Sequence, residues 1–163
     1  MREAVIISLL MVFLVIGRPS YLLDPSVPTA VKALTYHVFH ANIFHFAGNA
    51  LSIWVLCRPR TGLAKEIAAA FIIASLAYLI ALRPVIGVSN IMFALIGLRT
   101  PALSDKWWRS KGAAIFLSVT LLTLAIPRLS AVTHIASFVM GVSVAMAARK
   151  YRSICDDCRR ASR

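Results

Sequence analysis

The sequence predicts an all-α membrane protein, a bundle of six transmembrane helices with both termini on the inner side of the membrane. Of its 163 residues, 60% are hydrophobic and only 15% are charged, and the mean hydropathy is +0.79. Soluble domains carry roughly 25% charged residues, so the chain is too apolar to be one. Its hydrophobic residues also fall into runs that are separated by short connections containing proline, glycine and basic residues.

The first predicted helix is the apolar run 4–17, which follows Arg2 and Glu3. A basic start with a short apolar core is also typical of a cleaved signal peptide. No small-x-small cleavage site follows the run, so we expect an uncleaved helix. The connection 24–28 is rigid and polar and leaves no room for a folded domain.

The next three predicted helices are residues 30–56, 63–82 and 85–98. At 1.5 Å per residue the second is about 40 Å long, more than the hydrocarbon core of roughly 30 Å, so its first turns should lie at or outside the interface. The fourth covers only about 21 Å. Non-helical backbone within the membrane is tolerated only against protein or a water-filled cavity. We therefore expect residues 84–87 to form a loop that dips in from the outer side.

The last two predicted helices are residues 112–126 and 129–148. The loop before the fifth contains Trp107 and Trp108, which suit the membrane interface. The basic tail after the sixth is expected to be unstructured and cytosolic. The chain thus divides into a transmembrane domain, residues 1–150, and a cytoplasmic tail, residues 151–163.

The net charge of +12 is interpreted as a mark of topology, with the lipid bilayer as partner and no nucleic acid. The basic residues punctuate the apolar runs and form no basic stripe with interleaved aromatic residues. Six helices put both termini on one side, and all but four of the 18 Lys and Arg residues then share that face. The four on the other face are Arg18, Lys32, Arg83 and Arg128. Positive charge collects on the cytoplasmic side, which predicts an N-in, C-in topology.

The cysteines indicate neither a disulfide framework nor redox chemistry. Cys155 and Cys158 have the spacing of a zinc knuckle, but no second pair and no histidine follows them, as a zinc site would require. We expect no metal and no cofactor.

Polar side chains from three predicted helices converge on the outer end of the bundle. Ser89 begins the fourth helix, and His134 lies near the outer start of the sixth. A serine beside a base is an activated nucleophile. His45 and Asn49 share one face of the second helix at i and i+4, where two neutral donors could hold an oxyanion. Taken singly, Ser89 and His134 are better explained as packing residues; together with the second helix they favour a catalytic site.

Three stretches carry a family resemblance. Residues 40–49 read HANIFHFAGN, residues 87–97 read GVSNIMFALIG, and residues 133–141 read THIASFVMG. They resemble, in the expected order, the motifs of the second, fourth and sixth helices of rhomboid intramembrane serine proteases. The resemblance implies a rhomboid-like bundle in a bacterial inner membrane, with an active site that opens to the periplasmic side.

The resemblance also implies roles for individual residues. Ser89 would be the nucleophile and His134 the base of a dyad without an acid. His45, Asn49 and the Ser89 backbone N–H would form the oxyanion hole, and Phe93 would pack on the imidazole. The fifth helix would act as a lateral gate that admits a transmembrane protein substrate. The supporting residues would be His40, Gly87, Asn90, Ser137 and Gly141.

Some of these residues have open or different interpretations. His40 lies about 140° around a continuous second helix from His45, so we predict that it does not share that face and instead ties the helix to a loop. Asn90 stands where the family usually has glycine or alanine, and it either adds an oxyanion donor or crowds the site. Ser137 replaces a frequent glycine, and the first loop is short.

The predicted function is therefore intramembrane proteolysis by a serine endopeptidase. A catalytically silent rhomboid-like protein that binds membrane clients is the alternative, and Asn90 is its best support. A small transporter would need ionisable residues near the midplane of several helices, whereas this sequence offers only histidines there.

Overall fold

The structure, a computed structural model, describes residues 7, 10, 20–22, 24–40, 42–57, 61–80, 87–102 and 131–161. Apart from Ile7 and Leu10, the first predicted helix lies outside the described residues. So do the loop after residue 102, the fifth predicted helix and most of the predicted dipping loop. The helix count, the topology and the gate therefore remain predictions.

The described residues are mostly helical and contain no strand, which agrees with the all-α prediction. We label the α-helices α1 (Thr29–Thr35), α2 (Ile43–Leu56), α3 (Leu63–Tyr78), α4 (Ser89–Arg99) and α5 (Ala131–Ala161). Short 3₁₀ turns lie at Ser20–Leu22, Tyr36–Val38 and Thr100–Ala102. Within this part of the chain, only α5 is long and apolar enough to cross a membrane, and α4 is a shorter apolar helix.

The prediction of one continuous second helix over residues 30–56 is wrong. After the 3₁₀ turn, Phe39 is extended, with φ −97° and ψ 154°. Asn42 is extended too, and its side-chain oxygen accepts a hydrogen bond from the backbone N–H of His45 at 2.9 Å. An asparagine that caps a new helix satisfies one of its unpaired N–H groups. The chain therefore starts α2 afresh at Ile43 and places His45 in its first turn.

The prediction that the sixth helix ends near residue 148 in an unstructured tail is also wrong, because α5 continues to Ala161. No glycine or proline interrupts residues 149–161, and arginine and lysine are good helix formers. The helix of 31 residues is about 46 Å long. That length exceeds a hydrocarbon core of roughly 30 Å.

Small residues let α4 and α5 cross with their backbones close together. A Cβ atom on Gly97 would collide with the backbone oxygen of Phe138, and one on Gly141 would lie 2.5 Å from the backbone oxygen of Ala94. Gly97, Gly141 and Ala94 are therefore packing residues of the contact between α4 and α5. Because most of α4 is buried, this contact holds Ser89 at a set position relative to α5.

Arg99 ties three helices together at the opposite end of α4 from Ser89. Its Nε donates to Glu66 Oε2 at 3.0 Å, and its Nη1 donates to the backbone oxygen of Leu56 at 2.6 Å. Glu66 lies in the first turn of α3, and Leu56 ends α2. Because these contacts are only part-buried, we expect them to stabilise the fold more than a surface ion pair does and much less than the attraction within a fully desolvated pair.

Arg99→Ala is expected to lower the free energy of unfolding by about 2 kcal/mol, the range for hydrogen bonds to charged groups. Thermal unfolding in detergent micelles measures the change. Lys65→Ala, which removes the exposed cation beside Glu66, is the matched control and should unfold like the wild type. Equal unfolding temperatures for Arg99→Ala and the wild type would contradict the assigned contacts.

Candidate active site

Ser89 is the first residue of α4, and the backbone that leads into it is unusual. Gly87 has φ +107°, a left-handed conformation that L side chains rarely adopt and that favours glycine. Val88 follows with φ −73° and ψ −5°, so the chain turns sharply into the helix. The turn brings Ser89 Oγ to 2.8 Å from His134 Nε2.

His134 lies in the first turn of α5 and is buried. Its imidazole stacks on the ring of Phe93, with centroids 4.5 Å apart and an angle of 8° between the planes. Within the described residues, His134 Nδ1 has no hydrogen-bond partner. A neutral imidazole in this position can accept the serine proton at Nε2, which is the arrangement of an activated nucleophile.

His45 and Asn49 face Gly87, two residues before the serine. A Cβ atom on Gly87 would lie 2.6 Å from His45 Cε1, 2.8 Å from His45 Nε2 and 3.1 Å from Asn49 Nδ2. Asn49 is buried, and its Nδ2 has no hydrogen-bond partner within the described part of the chain. The first N–H groups of a helix are unpaired as well, and the Ser89 N–H is one of them in α4. These donors can hold a negative oxygen beside Ser89.

The comparison with protein families matches the Rhomboid domain over residues 28–151. The chain belongs to the rhomboid family. The match includes every residue of the site described above and, with the long apolar helix α5, makes this rhomboid a membrane protein. Searches of curated proteins and of solved structures found no match.

His40 lies beside His45 in this rhomboid, which corrects the prediction that the two could not share a face. Its ring centroid is 5.4 Å from that of His45 and 5.4 Å from that of Phe46, with edge-on geometry in both pairs. The prediction assumed a continuous helix, whereas the break before α2 folds His40 back against the first turn. His40 is almost fully buried, in keeping with a supporting position.

Asn90 points its side-chain amide nitrogen at the hydroxyl of Tyr36, at 2.9 Å. It is fully buried, and its Oδ1 has no hydrogen-bond partner among the residues described. The sequence left open whether Asn90 faces an oxyanion or crowds the serine. The structure gives its amide nitrogen a different partner, and that partner, Tyr36, was missed because nothing local in the sequence links residues 54 positions apart.

Ser137 follows His134 by three residues on α5 and is fully buried. Its hydroxyl has no hydrogen-bond partner within the described residues.

No group of three or more His, Cys, Asp or Glu side chains among the described residues could hold a metal ion. The groups that the structure brings together around Ser89 are the hydroxyl, imidazole and amide groups named above.

Proposed function

We propose that this rhomboid is an intramembrane serine endopeptidase that cleaves a peptide bond within or next to a transmembrane segment of a membrane-anchored protein. The observation that carries the proposal is the contact of 2.8 Å between Ser89 Oγ and His134 Nε2. Hydrogen-bond reach between a hydroxyl and a neutral imidazole is the first requirement for general-base activation.

The reaction begins when Ser89 Oγ attacks the scissile carbonyl carbon and its proton passes to His134 Nε2. The carbonyl oxygen becomes an oxyanion, which His45, Asn49 and the Ser89 N–H stabilise. The tetrahedral intermediate collapses as His134 gives its proton to the leaving amine, so that the first product departs and an acyl-enzyme remains. Water then attacks the ester with His134 as base, and a second collapse releases the new carboxyl end and restores Ser89.

The histidine works without a carboxylate partner in this scheme. Its orientation comes from packing, because Phe93 stacks almost parallel to the ring at 4.5 Å. A flat stacked contact resists rotation about the side-chain torsions and keeps Nε2 directed at Ser89. Phe93 lies one turn after Ser89 on α4, so one helix supplies both the nucleophile and the support for the base.

We further propose that the protein lies in a bacterial inner membrane with the site open to the periplasmic side. The 11 residues of α4 span only about 16 Å, so a helix end at the inner interface would leave Ser89 below the outer surface. A substrate helix would then reach the site laterally, with the predicted helix over residues 112–126 as the gate. The partners are the transmembrane substrate and the lipid bilayer.

A fluorophosphonate probe tests the proposal without a known substrate, since an activated serine displaces its fluoride and becomes phosphonylated. In liposomes the wild type should be labelled at Ser89, and His134→Ala should lose labelling by roughly 100-fold or more because no group remains to take the proton. Mass spectrometry locates the labelled residue. Ile135→Ala, an exposed neighbour on α5, should keep wild-type labelling.

A wild type that does not label would favour the silent rhomboid-like binder over the protease. Labelling of His134→Ala at the wild-type rate would remove His134 from the role of base. A label at another serine would show that Ser89 is not the nucleophile. The extent of labelling and the mass spectrum of the labelled protein together distinguish these outcomes.

A further inference from the structure

Tyr36 contacts the Ser89 segment on both sides of the serine. It lies in the 3₁₀ turn between α1 and α2 and is fully buried. Its backbone oxygen accepts a hydrogen bond from Gly87 N at 2.9 Å, and its hydroxyl meets Asn90 Nδ2 at 2.9 Å. One residue thus binds the chain two positions before the nucleophile and one position after it.

The direction of these hydrogen bonds follows from the chemistry of the phenol. The Tyr36 hydroxyl has a single hydrogen, which it donates to the backbone oxygen of Ala74 at 3.1 Å. It must therefore accept from the Asn90 amide, which fixes the amide orientation. The resulting chain of hydrogen bonds runs from Asn90 through Tyr36 to α3. The Tyr36 ring stacks on Tyr78 with centroids 4.7 Å apart, so the hydroxyl has a defined place.

The anchored segment carries the groups that the proposed reaction must hold still. Between Gly87 and Asn90 lie the Ser89 hydroxyl and the Ser89 N–H, and Gly87 itself packs against His45 and Asn49. Oxyanion donors work only when they are held within about 0.5 Å of the productive geometry. A glycine or alanine after the serine could not reach Tyr36, whereas the amide of Asn90 does.

We propose that Tyr36 and Asn90 form a clamp that positions the Ser89 hydroxyl and N–H, so that Asn90 is a positioning residue of this protease. The inference rests on the proposed function, because positioning has meaning only for a reacting serine. It assigns the amide of Asn90 to the scaffold rather than to the oxyanion. Tyr36 is its counterpart, and Ala74 on α3 is the fixed point to which the clamp is tied.

The test compares Tyr36→Phe, Asn90→Ala and the double variant in liposomes with a reporter transmembrane substrate. Each single change should lower kcat about tenfold, since small misplacements of reacting groups can cost up to roughly 100-fold, and should leave KM within about twofold. The labelling rate of Ser89 by fluorophosphonate should fall in parallel. The double variant should lose no more than the worse single variant, because both changes break the same link.

Ser75→Ala is the matched control. It removes the hydrogen bond of 3.1 Å between His37 Nε2 and Ser75 Oγ, which joins the same 3₁₀ turn to the same helix α3 without touching the Ser89 segment. This variant should keep the wild-type kcat even where its unfolding temperature falls. A fall in kcat equal to that of Asn90→Ala would mean that general loosening, and not the clamp, lowers the rate.

Two further results would overturn the inference. One is a wild-type kcat in Tyr36→Phe and Asn90→Ala with only a lower unfolding temperature, which would make the link purely structural. The other is a double variant whose loss is the product of the single losses, which would show that the two residues act separately. Because these comparisons need an active wild type, a wild type that neither cleaves nor labels would instead defeat the proposed function, and the inference with it.

Discussion

Ser89→Ala is expected to lower kcat for cleavage of a reporter transmembrane substrate on the order of 10⁴-fold or more. The variant removes the oxygen that lies 2.8 Å from His134 Nε2, and no acyl-enzyme can form without it. Alanine fits the first turn of α4 without new contacts, so the fold should persist. Gel separation of cleaved and intact substrate in liposomes measures the loss.

Ser143→Ala is the matched control for the loss of a serine hydroxyl. Ser143 lies on α5 and donates to the backbone oxygen of Val139 at 3.0 Å, far along the helix from His134. This variant should cleave like the wild type. Cleavage by Ser89→Ala at more than a few per cent of the wild-type rate would contradict a dyad of Ser89 and His134, because another group would have to be the nucleophile.

The proximity of Ser89 and His134 could be predicted from the sequence because Ser89 lies near the outer start of the short fourth predicted helix and His134 a few residues into the sixth. Both residues were therefore expected at a similar shallow depth below the outer surface. Helical periodicity also placed His45 and Asn49 on one face. That inference survives the break in the second helix, because both residues lie on the same side of the break, within α2. Relations within one helix are local, and the sequence encodes them directly.

The break itself and the place of His40 could not be predicted from hydropathy, because residues 33–56 contain no charged residue and no proline that would mark an end of the helix. The available indication was one residue, Asn42, whose side chain caps α2. Asparagine before an apolar run is a known helix start, but a run that is already long enough to span a membrane outweighs it. The break turns His40 towards His45, which no single-helix projection can show.

The hydrogen bond between Asn90 and Tyr36 could not be predicted from the sequence for a different reason. It joins positions 54 residues apart through side chains, and it depends on the 3₁₀ turn that directs Tyr36 inward. When only the neighbouring residues in the sequence are known, an asparagine after the serine suggests a site without catalytic activity. The hydrogen bond to Tyr36, continued to Ala74, gives its amide nitrogen a defined partner.

Gly87→Ala is expected to lower kcat by roughly 100-fold or more, although it changes neither the serine nor the histidine. The new Cβ would lie 2.6 Å from His45 Cε1 and 3.1 Å from Asn49 Nδ2, so the His45 ring would have to leave its place beside the oxyanion and the Asn49 amide would have to shift slightly. The loss of one oxyanion donor alone costs about 10² to 10³ in kcat. Steady-state cleavage in liposomes gives kcat, and circular dichroism with thermal unfolding reports the fold.

Gly62→Ala separates the clash from the backbone strain. Gly62 also has a positive φ, +81°, but a Cβ atom there meets no atom of the described residues within 4 Å. Both variants therefore carry the cost of a left-handed alanine, about 1–2 kcal/mol, and only Gly87→Ala displaces His45 and Asn49. Gly62→Ala should lose stability and keep kcat. If the two variants retained equal activity, strain would be the whole effect, and the oxyanion donors could not lie where His45 and Asn49 approach Gly87.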